Sequence, residues 1–435
     1  MGKNIFADND SVLDSQDPND PNSVLYKGVV ADNDILLDKA SLKDAVNSPK
    51  QNIEMYVTEG FWVDNPKTLT PINFLPYKTN DNAYLLVRFK NAAVGSKITV
   101  RVYDLDLLVD DSITAISSVI NQNNVIFTFD LNGKVFYKGV DSILHLYVSI
   151  IIDNNAKGDF CKTDKTLLKV HVVRYIPQIM SANRWNVGAS LQKYWFNAPS
   201  NSDYKKRLGL DLIRFSYFMQ FERFKTFIDS VVSGETWLSN KAKLEFINLI
   251  NNKINQNAVK LPETILNILN FGNSSKQLVR KGNYTVPIYE NEYIQHANYV
   301  EDTLTAPIDD MFCCLGDFNI HITIYGSIYY TTSDNYLVSI KKIGLHIQDN
   351  FDFTGTGISG FLGFWSPYHN KVNKIDPENN SYYYMSDNDY REYRNSSNLG
   401  GDFNLLSDVA FFDATAEYSL HYYYDLQSKK RLLKI

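Results

Sequence analysis

Two aspartates in the C-terminal half carry the strongest chemical signal in the sequence. Asp349 and Asp352 stand three residues apart, where a predicted strand ends and a glycine-rich loop begins. A strand end holds a side chain rigidly and leaves it open to solvent, which suits a catalytic acid or base. Two neighbouring carboxylates can share a proton, or bind Mg²⁺ or Ca²⁺ through their oxygen atoms. The alternative is that both carboxylates only cap turns of the loop.

A second charged segment lies further along the chain. Arg391 and Arg394 are three residues apart, so they share one face if a preceding aspartate begins a helix. Two guanidinium groups on one face suit a phosphate or a carboxylate. We therefore take Asp349, Asp352, Arg391 and Arg394 as candidate catalytic residues, and the two aspartates also as candidate metal ligands. A solvated helix face with local ion pairs is the alternative for the arginines.

Composition limits the classes of function. The 435 residues carry 43 Lys and Arg against 49 Asp and Glu, a formal net charge of −6. This charge provides no basic field, so we expect no nucleic-acid partner. The longest apolar run, Leu144–Ile152, is far shorter than the ~20 residues that span a bilayer, so we expect no transmembrane segment. The acidic first residues show no Sec-type signal peptide.

Cysteine and histidine usage argues against two kinds of site. The three cysteines, Cys161, Cys313 and Cys314, do not form a disulfide framework, and they indicate synthesis in a reducing compartment. The seven histidines are scattered, and none lies in a His-x-x-x-His or His-Glu-x-x-His pattern. The sequence patterns therefore do not predict a zinc site.

The apolar pattern predicts an α+β chain that is mostly β, in four parts. Residues 1–50 are rich in Asp, Asn and Ser and are predicted to form a flexible leader. Residues 51–175 alternate with period two and predict a β-sandwich of immunoglobulin-like type. Residues 176–275 predict a mainly helical connecting segment. Residues 276–435 predict a β-rich domain, which we take as the domain that carries any activity.

Two local patterns matter for the outcome below. Residues 318–331 and 336–348 predict a hairpin around Ser333-Asp334-Asn335, which leads directly to Asp349. The segment from Ile213 to Phe221 alternates as a strand does, and we expect it to turn into a helix near Glu222.

Three stretches together resemble an uncharacterised bacterial family associated with type VI secretion and polymorphic-toxin loci. In chain order they are Ile176-Pro177 and Met180 with Trp185, Ala189, Leu191 and Trp195; Asp349 to Phe353 with Leu362, Gly363 and Trp365; and Asn388 to Arg391 and Arg394 with Gly400, Gly401, Asp402, Phe403, Ser407 and Asp408. The resemblance runs from roughly residue 175 to 410, about half of the chain. It implies a protein made in the bacterial cytoplasm and secreted without a Sec signal peptide, with a secretion spike or adaptor protein and a cognate immunity protein as partners.

A second resemblance is to the colicin M-type toxins, which cleave undecaprenyl-linked peptidoglycan precursors in the periplasm. Those toxins carry Asp-x-Tyr-Asp-Phe after a β-hairpin, and here Asp349 to Phe353 follows the predicted hairpin. The sequence departs from their pattern at Phe351, which lacks the phenol, and at Ile358 and Ser359, where the toxins have His-Arg. The resemblance implies phosphoester or pyrophosphate hydrolysis, with one of the two candidate arginines supplying the missing cation.

Two hypotheses follow from these patterns. The first is a type VI secretion-associated antibacterial effector that hydrolyses a phosphorylated cell-envelope lipid precursor, using Asp349 and Asp352 as acid and base or as ligands of Mg²⁺ or Ca²⁺. The alternative is a non-enzymatic secretion-associated adaptor or binding protein, because its many tyrosines would supply contact area at low entropic cost.

Overall fold

Alternating apolar residues give the N-terminal half strands with one buried face. The computed structural model describes residues 55–77, 82–106, 110–132, 142–200, 208–209, 211–234, 236–255, 265–267, 278–281, 284–302, 305–332, 335–355, 360–379, 381–425, 427 and 430–434. The predicted leader, residues 1–50, lies outside them. The first strands are β1 (Tyr56–Val63), β2 (Asn82–Lys90), β3 (Lys97–Asp104), β4 (Asp111–Val119), β5 (Asn124–Asp130), β6 (Ile143–Ile152), β7 (Asn155–Phe160) and β8 (Leu168–His171).

These eight strands form two antiparallel sheets. One has the order β1-β2-β5, and the other has the order β4-β3-β6-β7 with β8 also paired to β6. In β3 the side chains of Ile98, Val100 and Val102 are fully buried, as their alternation predicts. Trp62 and Phe129 of the other sheet belong to the same apolar cluster. Two sheets sharing one core agree with a sandwich; the immunoglobulin-like type stays a prediction.

The middle segment is mainly helical, as predicted. Its helices are α1 (Ile176–Ala182), α2 (Asn186–Phe196), α3 (Phe215–Phe218), α4 (Glu222–Ser233) and α5 (Asn240–Asn255). The strand predicted for residues 213–221 is wrong, because this segment contains the helical turn α3. In α3 the two fully buried rings, Phe215 and Phe218, are three residues apart, which is the spacing of one helix face. The helix expected near Glu222 is confirmed by α4.

The C-terminal half is built on a long hairpin. Its strands, with the short β9 from the middle segment, are β9 (Leu208–Gly209), β10 (Ile265–Asn267), β11 (Leu278–Lys281), β12 (Tyr284–Pro287), β13 (Gln295–Tyr299), β14 (Phe318–Thr332), β15 (Asn335–Phe351), β16 (Phe361–Ser366), β17 (Lys371–Asn373), β18 (Tyr383–Ser386), β19 (Phe403–Leu406), β20 (Ala410–Asp425) and β21 (Lys430–Lys434). Its helices are α6 (Ile288–Asn291), α7 (Asp310–Cys314) and α8 (Asp387–Ser397). Strands β14 and β15 confirm the predicted hairpin.

The hairpin forms the centre of an eight-stranded sheet. Strands β10 and β13 pair with β14, while β19 and β20 pair with β15; β21 pairs with β20, and β9 runs parallel to β19. Strands β17, β16 and β18 form a separate three-stranded sheet in that order. The chain is thus α+β and mostly β, as predicted. Among the described residues we find no helix that combines the length and apolarity needed to cross a bilayer.

Packing is continuous across residue 175, where the sequence predicts a domain boundary. The amide of Tyr77 donates to the hydroxyl of Tyr393 at 2.8 Å, and the hydroxyl of Ser142 donates to Asp389. The ring of Phe74 packs edge-on against that of Tyr393. One cluster of buried apolar side chains extends from Trp62 in β1 to Leu420 in β20. The division into four parts stays a prediction, but helix α8 depends on contacts with the N-terminal sheets.

Candidate active site

The two predicted aspartates lie at the end of strand β15. Asp349 is still paired in the sheet, opposite Leu405, whereas Asp352 directly follows the strand. The amide of Asn350 donates to Asp349 Oδ1 at 2.7 Å, and Thr354 Oγ1 donates to Asp352 Oδ1 at 3.0 Å. Each carboxylate therefore accepts one local hydrogen bond of the kind that the turn-capping alternative predicts.

Aromatic packing fixes the backbone that carries these aspartates. Phe351 and Phe353 are buried, and the ring of Phe353 stacks on Tyr390 with 3.6 Å between centroids and 6° between planes. Phe351 stacks on Phe403 of the neighbouring strand β19, and Trp195 meets Phe353 edge-on. Because the phenylalanines anchor the segment in the core, the positions of Asp349 and Asp352 are set by rigid neighbours.

Both aspartates line the same hollow. A cavity of about 130 Å³ adjoins a wider cleft of about 680 Å³, and Asp349, Asp352 and Asp387 line both. Glu301 and Asp317 line the wider cleft only. The structure thus brings together the two predicted acids and adds a third, Asp387, in one concave and strongly acidic region. Such concave sites with a few convergent polar groups are typical of ligand-binding sites.

Burial makes these carboxyl groups hold protons more tightly than usual. The pKa of Asp349 is raised well above its ordinary value by burial, and the nearby charges of Asp352 and Asp317 raise it further. The pKa of Asp352 is raised, mainly by burial, while the hydrogen bond from Thr354 and the charge of Arg394 favour its ionised form. Two neighbouring carboxyl groups with raised pKa values, one of which is also contacted by groups that favour its ionised form, are suited to acid–base chemistry.

Asp387 begins helix α8 and closes the loop that follows Asp352. Its Oδ2 accepts the amide hydrogen of Gly355 at 2.7 Å. Burial raises the pKa of Asp387 to about 6, although the Gly355 amide and the charge of Arg391 oppose this shift. The predicted helix is present, but its N-cap is Ser386 and not an aspartate. Asp389 Oδ2 accepts the amide and hydroxyl hydrogens of Ser386 at 2.7 and 2.9 Å, forming a capping box.

Arg391 is used to hold the loop. Its Nη1 donates to the carbonyl oxygens of Phe353 and Gly355 at 3.1 and 2.9 Å. The guanidinium group therefore ties α8 to the backbone immediately after Asp352. Its role as a substrate-binding cation stays a prediction, while its role in positioning the loop is observed.

Arg394 lies on the same helix and is bound to an acid. Its Nη2 donates to Asp402 Oδ1, and the same oxygen accepts the indole hydrogen of Trp195 at 2.9 Å. The guanidinium carbon lies 5.3 Å from the centre of the Trp195 ring, a cation–π distance. Both candidate arginines are thus engaged by protein groups, as the alternative of local ion pairs predicts for Arg394. Their charges still reach the cleft, because each lowers the pKa of one lining aspartate.

Metal-ligand geometry is found elsewhere in the sheet. In the described part of the chain, three side chains bring ligand atoms close together in the way that a metal site requires. They are Glu290, His321 and His346. Asp349 and Asp352 gain no third side-chain ligand of this kind among the described residues. Short sequence motifs missed the histidines because their ring nitrogens meet across two strands. The signal was the predicted hairpin, whose register places His321 opposite His346.

The fold and the cleft define an α+β, mostly β protein with a half-buried acidic cleft at the end of a central hairpin. Residues 172–373, slightly less than half of the chain, match the sequence profile of a family of unknown function (DUF6402). This match includes the central hairpin and both aspartates, but not helix α8. It agrees with the predicted resemblance to an uncharacterised family. No curated protein matches the chain.

Proposed function

We propose that the acidic cleft is the active site of a hydrolase that uses Asp349 and Asp352 as an acid–base pair. The supporting observation is that both side chains line one cavity while burial raises the pKa of Asp349 well above its ordinary value. In this proposal Asp349 donates its proton to the leaving oxygen, since its raised pKa favours the protonated form. Asp352, whose ionised form is favoured by Thr354 and Arg394, accepts a proton from the attacking water.

The proposed substrate class is a phosphoester or pyrophosphate of a cell-envelope lipid. A phosphate would meet a cleft lined by Glu301, Asp317, Asp349, Asp352 and Asp387. In the other version of this proposal both carboxyl groups are ionised, and Asp349 and Asp352 hold Mg²⁺ or Ca²⁺ beside the substrate instead of acting as acid and base. Mg²⁺ is commonly bound by one or two carboxylates together with substrate phosphates. The ion would offset the negative charge of the phosphate. Arg391 and Arg394 contribute as positioning residues, because each donates a hydrogen bond to a protein group.

Delivery as a type VI secretion-associated antibacterial effector is the biological part of the proposal. It is supported by the sequence resemblance of three stretches between residues 175 and 410. One stretch contains Asp349 and Asp352, which line the cleft, and another begins in helix α8, whose first residue Asp387 also lines it. An effector of this kind is made in the bacterial cytoplasm, leaves without a Sec signal peptide, and has a spike or adaptor protein and an immunity protein as partners.

Growth of a test bacterium checks both parts of the proposal. The full chain, fused to a periplasmic signal peptide, should arrest growth, and Asp352→Asn should relieve the arrest at equal expression. Asp413→Asn is the matched control, because the side chain of Asp413 is 94% exposed and does not line the cleft. Equal toxicity of wild type and Asp352→Asn would refute the assignment of the site. Harmless wild-type protein in both periplasm and cytoplasm would refute the effector.

A direct assay separates chemistry from delivery. Purified full-length protein should release phosphate from a polyprenyl pyrophosphate in the presence of Mg²⁺ or Ca²⁺. EDTA should abolish the release if Asp349 and Asp352 are metal ligands, and should leave it unchanged if they act as acid and base. Asp352→Asn should lower the rate about 10²–10⁴-fold, the usual contribution of a general acid or base. Asp413→Asn should keep the wild-type rate. Phosphate release that is unaffected by Asp352→Asn would place the chemistry elsewhere.

The second candidate is a non-enzymatic secretion-associated adaptor or binding protein. The observation that favours it is that Arg391 and Arg394 are both bound by protein groups, so the cleft presents carboxyl groups without a committed cation. This reading predicts stable co-purification with a spike or effector protein, unchanged by Asp352→Asn, together with no hydrolysis. Failure to co-purify combined with phosphate release would exclude it.

A further inference from the structure

Two histidines and a glutamate meet on the central hairpin. His321 of β14 and His346 of β15 stand directly opposite each other in register, so their side chains leave the same face of the sheet. Glu290 of α6 reaches both: its Oε2 lies 2.7 Å from His321 Nδ1 and 3.0 Å from His346 Nε2. The three ligand atoms lie within 4.8 Å of one another.

This group is enclosed and held by neighbouring rings. The exposed fractions of the side chains are 8% for His321, 0% for His346 and 11% for Glu290. Tyr293 stacks on His321 with 3.8 Å between ring centroids, and Tyr289 packs edge-on against His346 at 4.6 Å. Two imidazoles on adjacent central strands with packed rings are pre-organised, because little side-chain freedom is left to lose on binding.

We propose that Glu290, His321 and His346 bind a transition-metal ion of the Zn²⁺ type. Two imidazole nitrogens and one carboxylate oxygen are a common donor set for Zn²⁺. Ligand atoms about 2.0–2.1 Å from a tetrahedral Zn²⁺ are about 3.3 Å apart. The Glu290 oxygen, at 2.7 and 3.0 Å from the two nitrogens, therefore needs to separate from them by only a few tenths of an ångström, and the two nitrogens already lie within 4.8 Å of each other. His321 Nδ1 and His346 Nε2, which lie within hydrogen-bond distance of Glu290, would then each present a lone pair to the ion.

The proposed metal site is distinct from the acidic cleft. His346 and Asp349 are three residues apart on β15, and residues at odd separations point to opposite faces of a strand. None of the three proposed ligands lines the cavities around Asp349 and Asp352. Because its ligands are nearly buried, the ion has a structural role: it fastens α6 to the central hairpin. This inference does not depend on the proposed hydrolase.

Metal titration of the full chain tests the site. Protein stripped with EDTA should bind one equivalent of Zn²⁺ or Co²⁺ and melt at a higher temperature when loaded. His321→Gln and Glu290→Gln should each weaken binding at least about tenfold. His369→Gln, which alters an exposed histidine, and Asp413→Asn, at a side chain that is 94% exposed, should bind as wild type does. Wild-type affinity in His321→Gln and Glu290→Gln, or no stoichiometric binding by wild type, would overturn the proposal.

X-ray absorption of zinc-loaded wild-type protein gives a second test that does not require a variant to fold. The spectrum should show nitrogen and oxygen neighbours at about 2.0–2.1 Å and the outer scattering of two imidazoles. Sulfur neighbours at about 2.3 Å would place the ion on cysteine and overturn the assignment.

Discussion

Arg391 holds the backbone of Gly355, with 2.9 Å between its Nη1 atom and the carbonyl oxygen. The residues are 36 positions apart, so one guanidinium group joins helix α8 to the loop after Asp352. The same Nη1 also binds the carbonyl oxygen of Phe353. Because charged hydrogen bonds to buried carbonyls define where this loop lies, the cleft depends on Arg391 even without any contact to substrate.

Replacement of Arg391 should therefore loosen the loop and destabilise the protein. We expect Arg391→Ala to lower the free energy of unfolding by about 1.5–3 kcal/mol, the range for hydrogen bonds to charged groups, and Arg391→Lys to lower it less. Urea denaturation provides the measurement. Asn395→Ala, at an exposed position of the same helix, is the control and should change stability little. An Arg391→Ala variant as stable as the control would show that the two carbonyl contacts contribute nothing.

Gly400 provides a prediction with a closely matched control. Its φ is +90°, and an added Cβ would lie 2.4 Å from the Trp195 ring. Gly95 has a φ of +95° with nothing within 4 Å of an added Cβ. Gly400→Ala and Gly95→Ala carry the same backbone strain, so their difference reports the clash with Trp195 alone. We expect Gly400→Ala to cost about 1–3 kcal/mol more than Gly95→Ala in urea denaturation. Equal costs would mean that Trp195 moves aside freely.

Asp310 ties three parts of the fold together. It is 3% exposed, and its carboxylate accepts the amide hydrogens of Val187 and Gly188 at the start of α2, at 3.2 and 2.7 Å, and the hydroxyl hydrogen of Tyr217. Asp310→Ala leaves these buried donors without an acceptor, so we expect a loss of about 2–4 kcal/mol. Tyr217→Phe removes one donor together with its hydrogen bond and should cost about 1 kcal/mol.

Thermal and urea unfolding of the two variants measure this difference. Losses of equal size in Asp310→Ala and Tyr217→Phe would contradict the prediction, because they would assign the whole effect to one hydroxyl. The double variant should cost less than the sum of the single variants, since both remove the same hydrogen bond.

The raised pKa of Asp387 predicts a specific pH dependence. Its pKa is about 6 in the folded protein, mainly because of burial, against about 3.9 in an unfolded chain. The folded state therefore keeps this proton to a higher pH than the unfolded state does. The resulting stabilisation is complete below about pH 4 and is lost as the pH rises through about 6.

Asp387→Asn removes this titration. Relative to wild type, the variant should gain stability between pH 4 and pH 7, as measured by urea denaturation at both values. Asn395→Ala, which alters an exposed residue and removes no ionisable group, should keep a constant difference from wild type. A constant difference for Asp387→Asn as well would show that Asp387 has an ordinary pKa in the folded protein.

The sequence predicted those elements whose patterns are local. Alternation over Ile98, Val100 and Val102 gave β3, and two apolar runs around a polar turn gave the hairpin β14–β15. It failed at Phe215–Phe218, where large residues alternate but the chain forms a helical turn with Phe215 and Phe218 on one face. Period alone does not separate strand from helix over so few residues, and tertiary packing decides.

The candidate site was predictable only in part. The strand end identified Asp349 and Asp352 as neighbours at an accessible position, and both do line the cavity. The third acid, Asp387, and the bonds of Arg391 to the loop depend on contacts between segments far apart in sequence. No spacing rule gives such contacts. His321 and His346 are paired across the hairpin. Predicting this pair from sequence would require the hairpin register to be assigned without an error of even one residue.

The hydrogen bonds from Tyr77 to Tyr393 and from Ser142 to Asp389 limit how far the protein can be shortened while the acidic cleft is kept intact. A fragment that starts at residue 176 would bring α8 without the two N-terminal groups that anchor it. Such a fragment would carry the carboxyl groups of the cleft but not the contacts that hold α8 in place.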